Sequence, residues 1–302
     1  MHFQGNITES VRGLIDMRVK VSEDSLYKRL YLQRKREELT NQALYSKEIG
    51  ISEKRLGESD IIVSLTSYGK RIPEVHVAIE SIMQGSVKPN KIVLWLSENY
   101  RNQILPITIQ KQIERGLDVE YCRDIRSYTK LIPTLKKYPD SSIITIDDDI
   151  IYPFDTIENL VNSHLDFPEY ICANFVRGIP PTLAELYVSF VEWPILHDVE
   201  SVDGKYFFEG FGGVLYPPHS LDREVFSEET FMDICKYADD VWFNAMALKA
   251  NTKVKYAWNH YGFFPYVVNE TVQKNALSKI NNSGEILNDS QIKAVYGKYL
   301  LF

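Results

Sequence analysis

The chain reads as an α/β protein, with a mostly parallel central sheet flanked by helices and helical extensions at both ends. Three observations predict this. Short β-branched apolar runs recur, as in strands buried on both faces. Segments with apolar residues at helical spacing lie between them. The two kinds alternate, which argues for βαβ units, and such crossovers are right-handed in nearly all cases. A Rossmann-like half is the architecture that results. A length of 302 residues suits one large α/β domain with extensions, or two small domains.

Residues 1–58 form a helical extension. From Glu23 to Glu48 there is no Pro or Gly, and the stretch carries the basic cluster Arg34-Lys35-Arg36. Leu26, Leu30, Gln33 and Glu37 fall on one helical face, so the apolar stripe is short. A solvated or partner-packing helix is expected; a basic helix resting on an anionic membrane surface is the sharper alternative.

The domain proper spans 59–265. Ile61–Leu65 is the first strand. Pro73 opens a helix where its missing N–H is harmless. Val75, Ala78, Ile79, Ile82 and Met83 then repeat at helical spacing, and Gly85 ends the helix. Lys91–Leu96 is the second strand, a helix follows around Ile104–Arg115 and closes at Gly116, and Val119 and Tyr121 mark a third strand. Tyr128–Lys137 reads as a helix with a kink or late start at Pro133. Ser142–Ile146 is the fourth strand. Asp155-Thr156-Ile157-Glu158 resembles a capping box, with Ile157, Leu160, Val161 and Leu165 as the apolar face behind it. Beyond Pro168, short apolar runs (Tyr187–Trp193, Gly213–Tyr216, Val254–Trp258) alternate with Gly- and Pro-rich loops. Residues 266–302 form a helical tail, interrupted at Asn281–Gly284, that packs near the acceptor side of the site.

Composition excludes several classes of function. The net charge of −7 lacks the basic surplus by which proteins neutralise nucleic-acid phosphates. No apolar run approaches the roughly 20 residues that span a bilayer. Met1–Gly5 lacks the basic-then-apolar pattern of a secretory leader. Cys122, Cys172 and Cys235 are an odd number without CxxC spacing, so a disulfide framework or zinc site is not expected and three buried apolar thiols are. A cytoplasmic protein, at most peripheral on the inner membrane face, is the expectation.

The chemistry concentrates at Asp147-Asp148-Asp149, which follow the fourth strand without a spacer. In an open α/β sheet, ligands bind outside the carboxyl ends of the strands. Adjacent carboxylates repel, so folding gains nothing from three together. A hard cation such as Mg²⁺ or Mn²⁺ removes that penalty, and such ions are held by one or two carboxylates plus substrate phosphates. An exposed acidic turn capping the next helix is the plainer alternative.

Ser64–Tyr68, the helix containing Ala78–Gln84, the strand Lys91–Leu96 and the Ile146–Asp149 segment together resemble family-2-like bacterial glycosyltransferases of capsule, lipopolysaccharide and O-antigen synthesis. The similarity runs from about Asp60 to His260. It implies a GT-A fold, a DxD-like motif and a nucleotide-sugar donor, with UDP the expected nucleotide. It also implies an oligosaccharide or lipid-linked glycan as acceptor. By resemblance Asp147 lies toward the ribose and the metal, Asp149 holds the metal, and Asp148 is less defined. Thr66, Ser67, Tyr68 and Arg71 border the nucleotide. Glu98 is the acidic residue after the second strand that contacts the base, and Lys130 faces the diphosphate. Gly212 and Gly213, in Phe208–Gly213, border the donor sugar and acceptor.

Asp239-Asp240 begins a helix. One residue can cap it. The segment resembles the acidic pair that supplies the general base in inverting GT-A enzymes, which implies Asp240 as the base with Asp239 the alternative. By the same resemblance, to GT-A enzymes that take a further metal ligand from a histidine near the end of the domain, His260 is a metal-ligand candidate, although a lone histidine is more often structural. Tyr187, Phe190, Trp193, Tyr206, Phe207 and Phe208 read as core with some pocket lining. Three rivals remain at this level. A phosphohydrolase with an aspartyl nucleophile would want DxDxT/V directly after its first strand, whereas here the aspartates follow the fourth and Asp149 is followed by Ile150-Ile151-Tyr152. A nucleotidyltransferase would carry a Gly-rich basic signature after the first strand, which Ser64–Arg71 lacks. A non-catalytic glycan- or nucleotide-binding module would not need an acid at Asp240.

Overall fold

The computed structural model describes residues 26–179, 189–196, 206–257, 266–267 and 287–301. The strands in chain order are β1 (Ile61–Thr66), β2 (Lys91–Ser97), β3 (Leu117–Cys122), β4 (Ser142–Thr145), β5 (Ile150–Ile151) and β6 (Ile171–Ala173), then β7 (Val176–Gly178), β8 (Tyr206–Phe208), β9 (Val214–Tyr216), β10 (Val254–Tyr256) and β11 (Tyr266–Val267). The helices are α1 (Leu26–Tyr45), α2 (His76–Met83), α3 (Ile107–Ile113), α4 (Ile132–Lys137), α5 (Thr156–Asp166), α6 (Glu228–Ile234), α7 (Asp239–Lys249) and α8 (Leu287–Tyr299).

Seven strands form the central sheet in the order β10-β6-β9-β4-β1-β2-β3, and only β9 opposes its neighbours. The fold is therefore α/β with a mostly parallel sheet flanked by helices. The order reverses at β1. The chain steps outward through β2 and β3, then returns to place β4 on the other side of β1, with Ser64 opposite both Val93 and Thr145. The carboxyl ends of β1 and β4 thus flank the switch point at which sheets of this kind bind ligands.

Alternation along the strands sends side chains into two layers. Ile61, Val63 and Leu65 pack with Ile79, Ile82 and Met83 of α2 and with Ile157, Leu160 and Val161 of α5. On the opposite face, Ile143, Val214 and Tyr216 pack with Val241, Trp242 and Phe243 of α7 and with Ile292, Val295 and Tyr296 of α8. The C-terminal helix is thus part of the core. Burying an aliphatic side chain such as Ile292 or Val295 contributes about 1.5–3 kcal/mol.

The N-terminal helix turns a different face inward from the one its sequence suggests. Leu30, Gln33 and Glu37 face solvent, whereas Leu39 and Ala43, one helical turn apart, are buried. The packing partners α2 and α3 decide this. Arg36 donates to Glu74, and Thr40 Oγ1 lies 3.0 Å from His76 Nε2. Arg115 is buried, donating from Nη2 to Glu80 Oε1 over 2.8 Å and to the Gln42 and Glu48 carbonyls.

Other local expectations shift as well. α2 starts at His76, three residues beyond Pro73, because the chain turns through residues 72–75 first. The 128–137 segment splits into a 3₁₀ turn (Arg126–Lys130) and α4, which begins beside Pro133. No capping box forms at α5: Asp155 makes no side-chain cap, and Glu158 instead accepts from Ser86 Oγ. Leu165 is exposed rather than part of the apolar face. The short pairs β5–β11 and β7–β8 were not predicted. No described helix is long and apolar enough to cross a membrane.

Candidate active site

The switch point opens into a cavity of about 940 Å³, whose walls include the β1 loop, the three-aspartate run and the start of α7. The three aspartates have different environments. Asp148 is buried, accepting from Arg71 Nη1 at 2.7 Å and from Ser67 Oγ at 2.6 Å. Burial raises its pKa, against the pull of Arg71 and Ser67. Asp149 lies 3.2 Å from Arg71 Nη2. Burial, reinforced by Asp147 and Asp148, pushes its carboxyl up to about 7. Asp147 is the most open of the three, and its Oδ1 accepts from Lys130 Nζ at 2.9 Å. Its N–H donates to Tyr152 Oη, which in turn donates to the Phe211 carbonyl and so joins the acidic run to the glycine-rich loop. For Arg71, burial works to lower the pKa, and Asp148 and Asp149 outweigh it.

Lys130 is the hinge of the electrostatics. Its ammonium, 2.9 Å from Asp147, also stands 3.0 Å from Asp239 Oδ2, at ion-pair distance but without hydrogen-bond geometry. Burial disfavours its charge, and Asp147, Asp239 and Asp240 together outweigh that, holding its pKa well above the usual value. The 3₁₀ turn that carries it is pinned from below: Ser64 Oγ on β1 donates to the Lys130 carbonyl and lies 2.6 Å from Thr134 Oγ1.

Asp239 and Asp240 occupy the first turn of α7, and neither caps it; Ala238 is the N-cap residue and makes no side-chain bond. Asp240 Oδ2 accepts from the Gly210 N–H at 2.9 Å, and its Oδ1 has no hydrogen-bond partner among the described residues. Burial, with Asp239 adding to it and Lys130 opposing, pushes the Asp240 carboxyl up to about 8. A Cβ at Gly210 would fall 2.6 Å from Asp240 Oδ1 and 2.8 Å from Lys130 Nζ, so any larger residue would displace these two charged groups.

Most of the residues singled out from sequence meet in this cavity: Thr66, Ser67, Tyr68, Arg71, Lys130, Asp147, Asp148, Asp149, Asp239 and Asp240. Glu98 does not. It is exposed and grips Arg101 through two hydrogen bonds, while Ser97, Asn99 and Tyr100 line the cavity around it. Gly212 and Gly213 lie behind the wall. Gly212 is packed on Phe175 and bonded to Asn174, and Gly213 has a left-handed φ of 88°. Lys130 is committed to carboxylates rather than open to a diphosphate. His260 and Tyr187 lie outside the described residues. Phe190 and Phe207 line the cavity and belong to the core, whereas Trp193 and Phe208 are core residues.

Arg177, Tyr237 and Asn288 are among the lining residues that had no sequence signal, and Glu209 was marked only as part of the Phe208–Gly213 loop. Arg177 on β7 pairs with Glu209, which directly follows β8, and Arg177 Nη1 donates to the Trp193 carbonyl. Burial raises the Glu209 pKa against Arg177. Such pairings are set by strand register over long separations, which a single sequence does not display.

Seven carboxyls and four cations line the cavity, so it carries surplus negative charge. Among the described residues, no three His, Cys, Asp or Glu side chains are arranged as a preformed metal site. Asp148 has both oxygens engaged and is unsuited to ligation. Asp149 and Asp147 still offer hard oxygen donors, and a divalent cation would offset the burial and the neighbouring carboxylates that raise the Asp149 pKa. Two carboxylates plus substrate oxygens match how Mg²⁺ is usually held.

No family model matches the chain, and no curated protein is similar enough in sequence to count as a relative. Solved structures similar to parts of it include CMP:2-keto-3-deoxy-manno-octonic acid synthetase complexed with CTP. That likeness is 11% identical, covers 75% of this chain and all (100%) of that one, and has a TM-score of 0.43. A second is the mannosyltransferase PcManGT from Pyrobaculum calidifontis in complex with GDP-Man and Mn²⁺. It is 13% identical, covers 89% of this chain and 81% of that one, and has a TM-score of 0.41.

Proposed function

We propose that the chain is a metal-dependent glycosyltransferase of the GT-A type. It moves a hexose from a nucleoside-diphosphate sugar, UDP-hexose in the first instance, to a glycan hydroxyl with inversion, in bacterial surface polysaccharide synthesis. One observation carries the reading: an acidic run at the sheet's ligand-binding rim and a second acidic pair at the start of α7 face one cavity, joined through buried Lys130.

In this reading Thr66, Ser67 and Tyr68 border the nucleotide. Arg71 neutralises Asp148 and steadies Asp149. A divalent cation held by Asp149 and Asp147 would supply positive charge to the leaving diphosphate. Asp240, once ionised, accepts the proton of the acceptor hydroxyl as that oxygen attacks the anomeric carbon from the face opposite the diphosphate. The Gly210 N–H holds the Asp240 carboxyl in place, and the charge on Lys130 favours its ionised form. The donor C–O bond breaks as the new glycosidic bond forms, and the nucleoside diphosphate departs.

The deciding experiment measures UDP release from a panel of UDP-sugars with Mn²⁺, in wild type and Asp240→Asn. Metal-dependent release that falls in the variant supports transfer. A nucleotide-binding module would release nothing, with or without acceptor, and a nucleotidyltransferase would instead form pyrophosphate from a nucleoside triphosphate and a sugar phosphate.

A further inference from the structure

Four cationic side chains line the cavity, and three of them are already spent. Arg71 is paired with Asp148 and Asp149, Lys130 with Asp147 and Asp239, and Arg177 with Glu209. Arg126 is different. Among the described residues no carboxylate pairs with it, and it is exposed at the cavity wall.

Its backbone is unusual as well. Four described non-glycine residues have a left-handed φ, and Arg126, at 61°, is the one among them that lines the cavity. A β-carbon disfavours that conformation, and such residues concentrate at functional sites. Here the conformation is fixed locally, because the Arg126 N–H donates to Asp124 Oδ1 at 2.8 Å. The guanidinium then lies over the Tyr237 ring, 5.0 Å from its centroid. Tyr237 is itself held by the C-terminal helix, its N–H donating to Gln291 Oε1 at 2.8 Å. Asn288, one turn earlier on that helix, lines the same cavity.

A guanidinium stacked on an aromatic ring loses little freedom on binding and keeps its N–H edge for a two-pronged contact. That edge suits an oxyanion, phosphate or carboxylate, better than a neutral hydroxyl. Tyr237 stands two residues before Asp239 and three before Asp240, so the cation belongs to the α7 side of the cavity, where the proposed base sits.

We infer that Arg126, lying over Tyr237 in the cavity that Asn288 also lines, forms an oxyanion-recognition subsite for an acidic acceptor, one bearing a phosphate or carboxylate near the hydroxyl that is glycosylated. The inference rests on the transfer reading above for the word acceptor, and on geometry alone for the anion.

Calorimetry on the full chain tests it, first titrating UDP with Mn²⁺, then titrating probes onto protein saturated with both. The probes are glycerol 3-phosphate, glucuronate and glycerol. The wild type is expected to bind one of the two anions and not glycerol, and which anion binds separates a phosphate-bearing acceptor from an acidic sugar. Arg126→Gln should weaken that binding at least tenfold and leave UDP binding unchanged, with Arg126→Lys intermediate because it keeps charge without the fork. Arg126→Gly, which removes the β-carbon from the left-handed position, should melt no lower than wild type yet lose the anion. Three results overturn the inference: neither anion binds, Arg126→Gln leaves anion binding intact, or the loss appears in UDP binding instead. Failure of UDP and Mn²⁺ to bind at all would strike the transfer reading, and the anion titration repeated without them would still score the Arg126 site.

Discussion

Lys130 donates from its ammonium to Asp147 Oδ1 over 2.9 Å, across 17 residues of chain, and the pair joins the end of β4 to the start of α7 through Asp239. Because the ammonium is buried, removing it would strand carboxylates without a counter-ion. Breaking a buried pair from one side typically costs about 3–5 kcal/mol. Lys130→Met should therefore lower the unfolding free energy by an amount in that range, as read by urea denaturation, and abolish activity. Wild-type stability in this variant would mean that Lys130 does not hold the two acidic groups together.

The raised Asp240 pKa makes a signed prediction about activity. Its carboxyl reaches about 8 through burial first and Asp239 second, with Lys130 opposing. A base must be ionised to accept a proton, so the transfer rate should rise with pH and level off above about 8. Asp240→Asn should lose roughly 10²–10⁴-fold in rate and keep no such rise. A wild-type profile that falls between pH 7 and 9 would remove Asp240 from the role of base.

The same shift has a consequence for stability, with the opposite slope. Between the unfolded pKa of an aspartate, about 3.9, and the folded value of about 8, the native state binds more protons than the unfolded one. Stability should therefore fall as pH rises through that window and flatten above it. Asp149, pushed to about 7, adds the same sign over a narrower window. Asp240→Asn should reduce the slope and be more stable than wild type at pH 8, as read by urea unfolding at several pH values.

Removal of the metal ligands should separate binding from folding. Asp149→Asn is expected to relieve repulsion within the acidic run, so its melting temperature should equal or exceed that of wild type. Mn²⁺-dependent binding of UDP should nevertheless drop at least tenfold, and EDTA should reproduce that drop in wild type. Undiminished Mn²⁺ dependence in the variant would assign the ion to other donors.

Glu80 and Arg115 offer a test far from the cavity. Both are buried, and Arg115 ties α2 to the Gln42 and Glu48 carbonyls at the end of the N-terminal helix. Arg115→Met should cost on the order of 3–5 kcal/mol. An N-terminal helix that were merely appended would show a loss well under 1 kcal/mol.

Periodicity made much of the frame legible. The runs at Ile61–Leu65, Lys91–Leu96 and Ser142–Ile146 became β1, β2 and β4, because β-branched residues without polar interruption suit strands covered on both sides. The short strands β5, β7 and β8 escaped notice, since two or three residues carry no detectable period. The misassigned face of α1 has the same origin in packing. Leu39 and Ala43 are buried because α2 and α3 lie against them, and Leu30 is exposed because no described element covers it.

At the cavity, the local order of residues disclosed which groups are acidic and that they follow a strand. That order could not tell how charge is shared. Asp147, Asp148 and Asp149 are adjacent in the chain, yet one is open, one is saturated by Arg71 and Ser67, and one is raised to about 7. Glu98 illustrates the converse, an acid at a plausible position that turns outward to Arg101. Chain neighbours declare residue type and spacing through backbone geometry alone. Which partner each charge meets depends on groups far apart in the chain, and only the closing of the sheet and of α7 around one cavity sets Arg71 2.7 Å from Asp148 and Lys130 3.0 Å from Asp239.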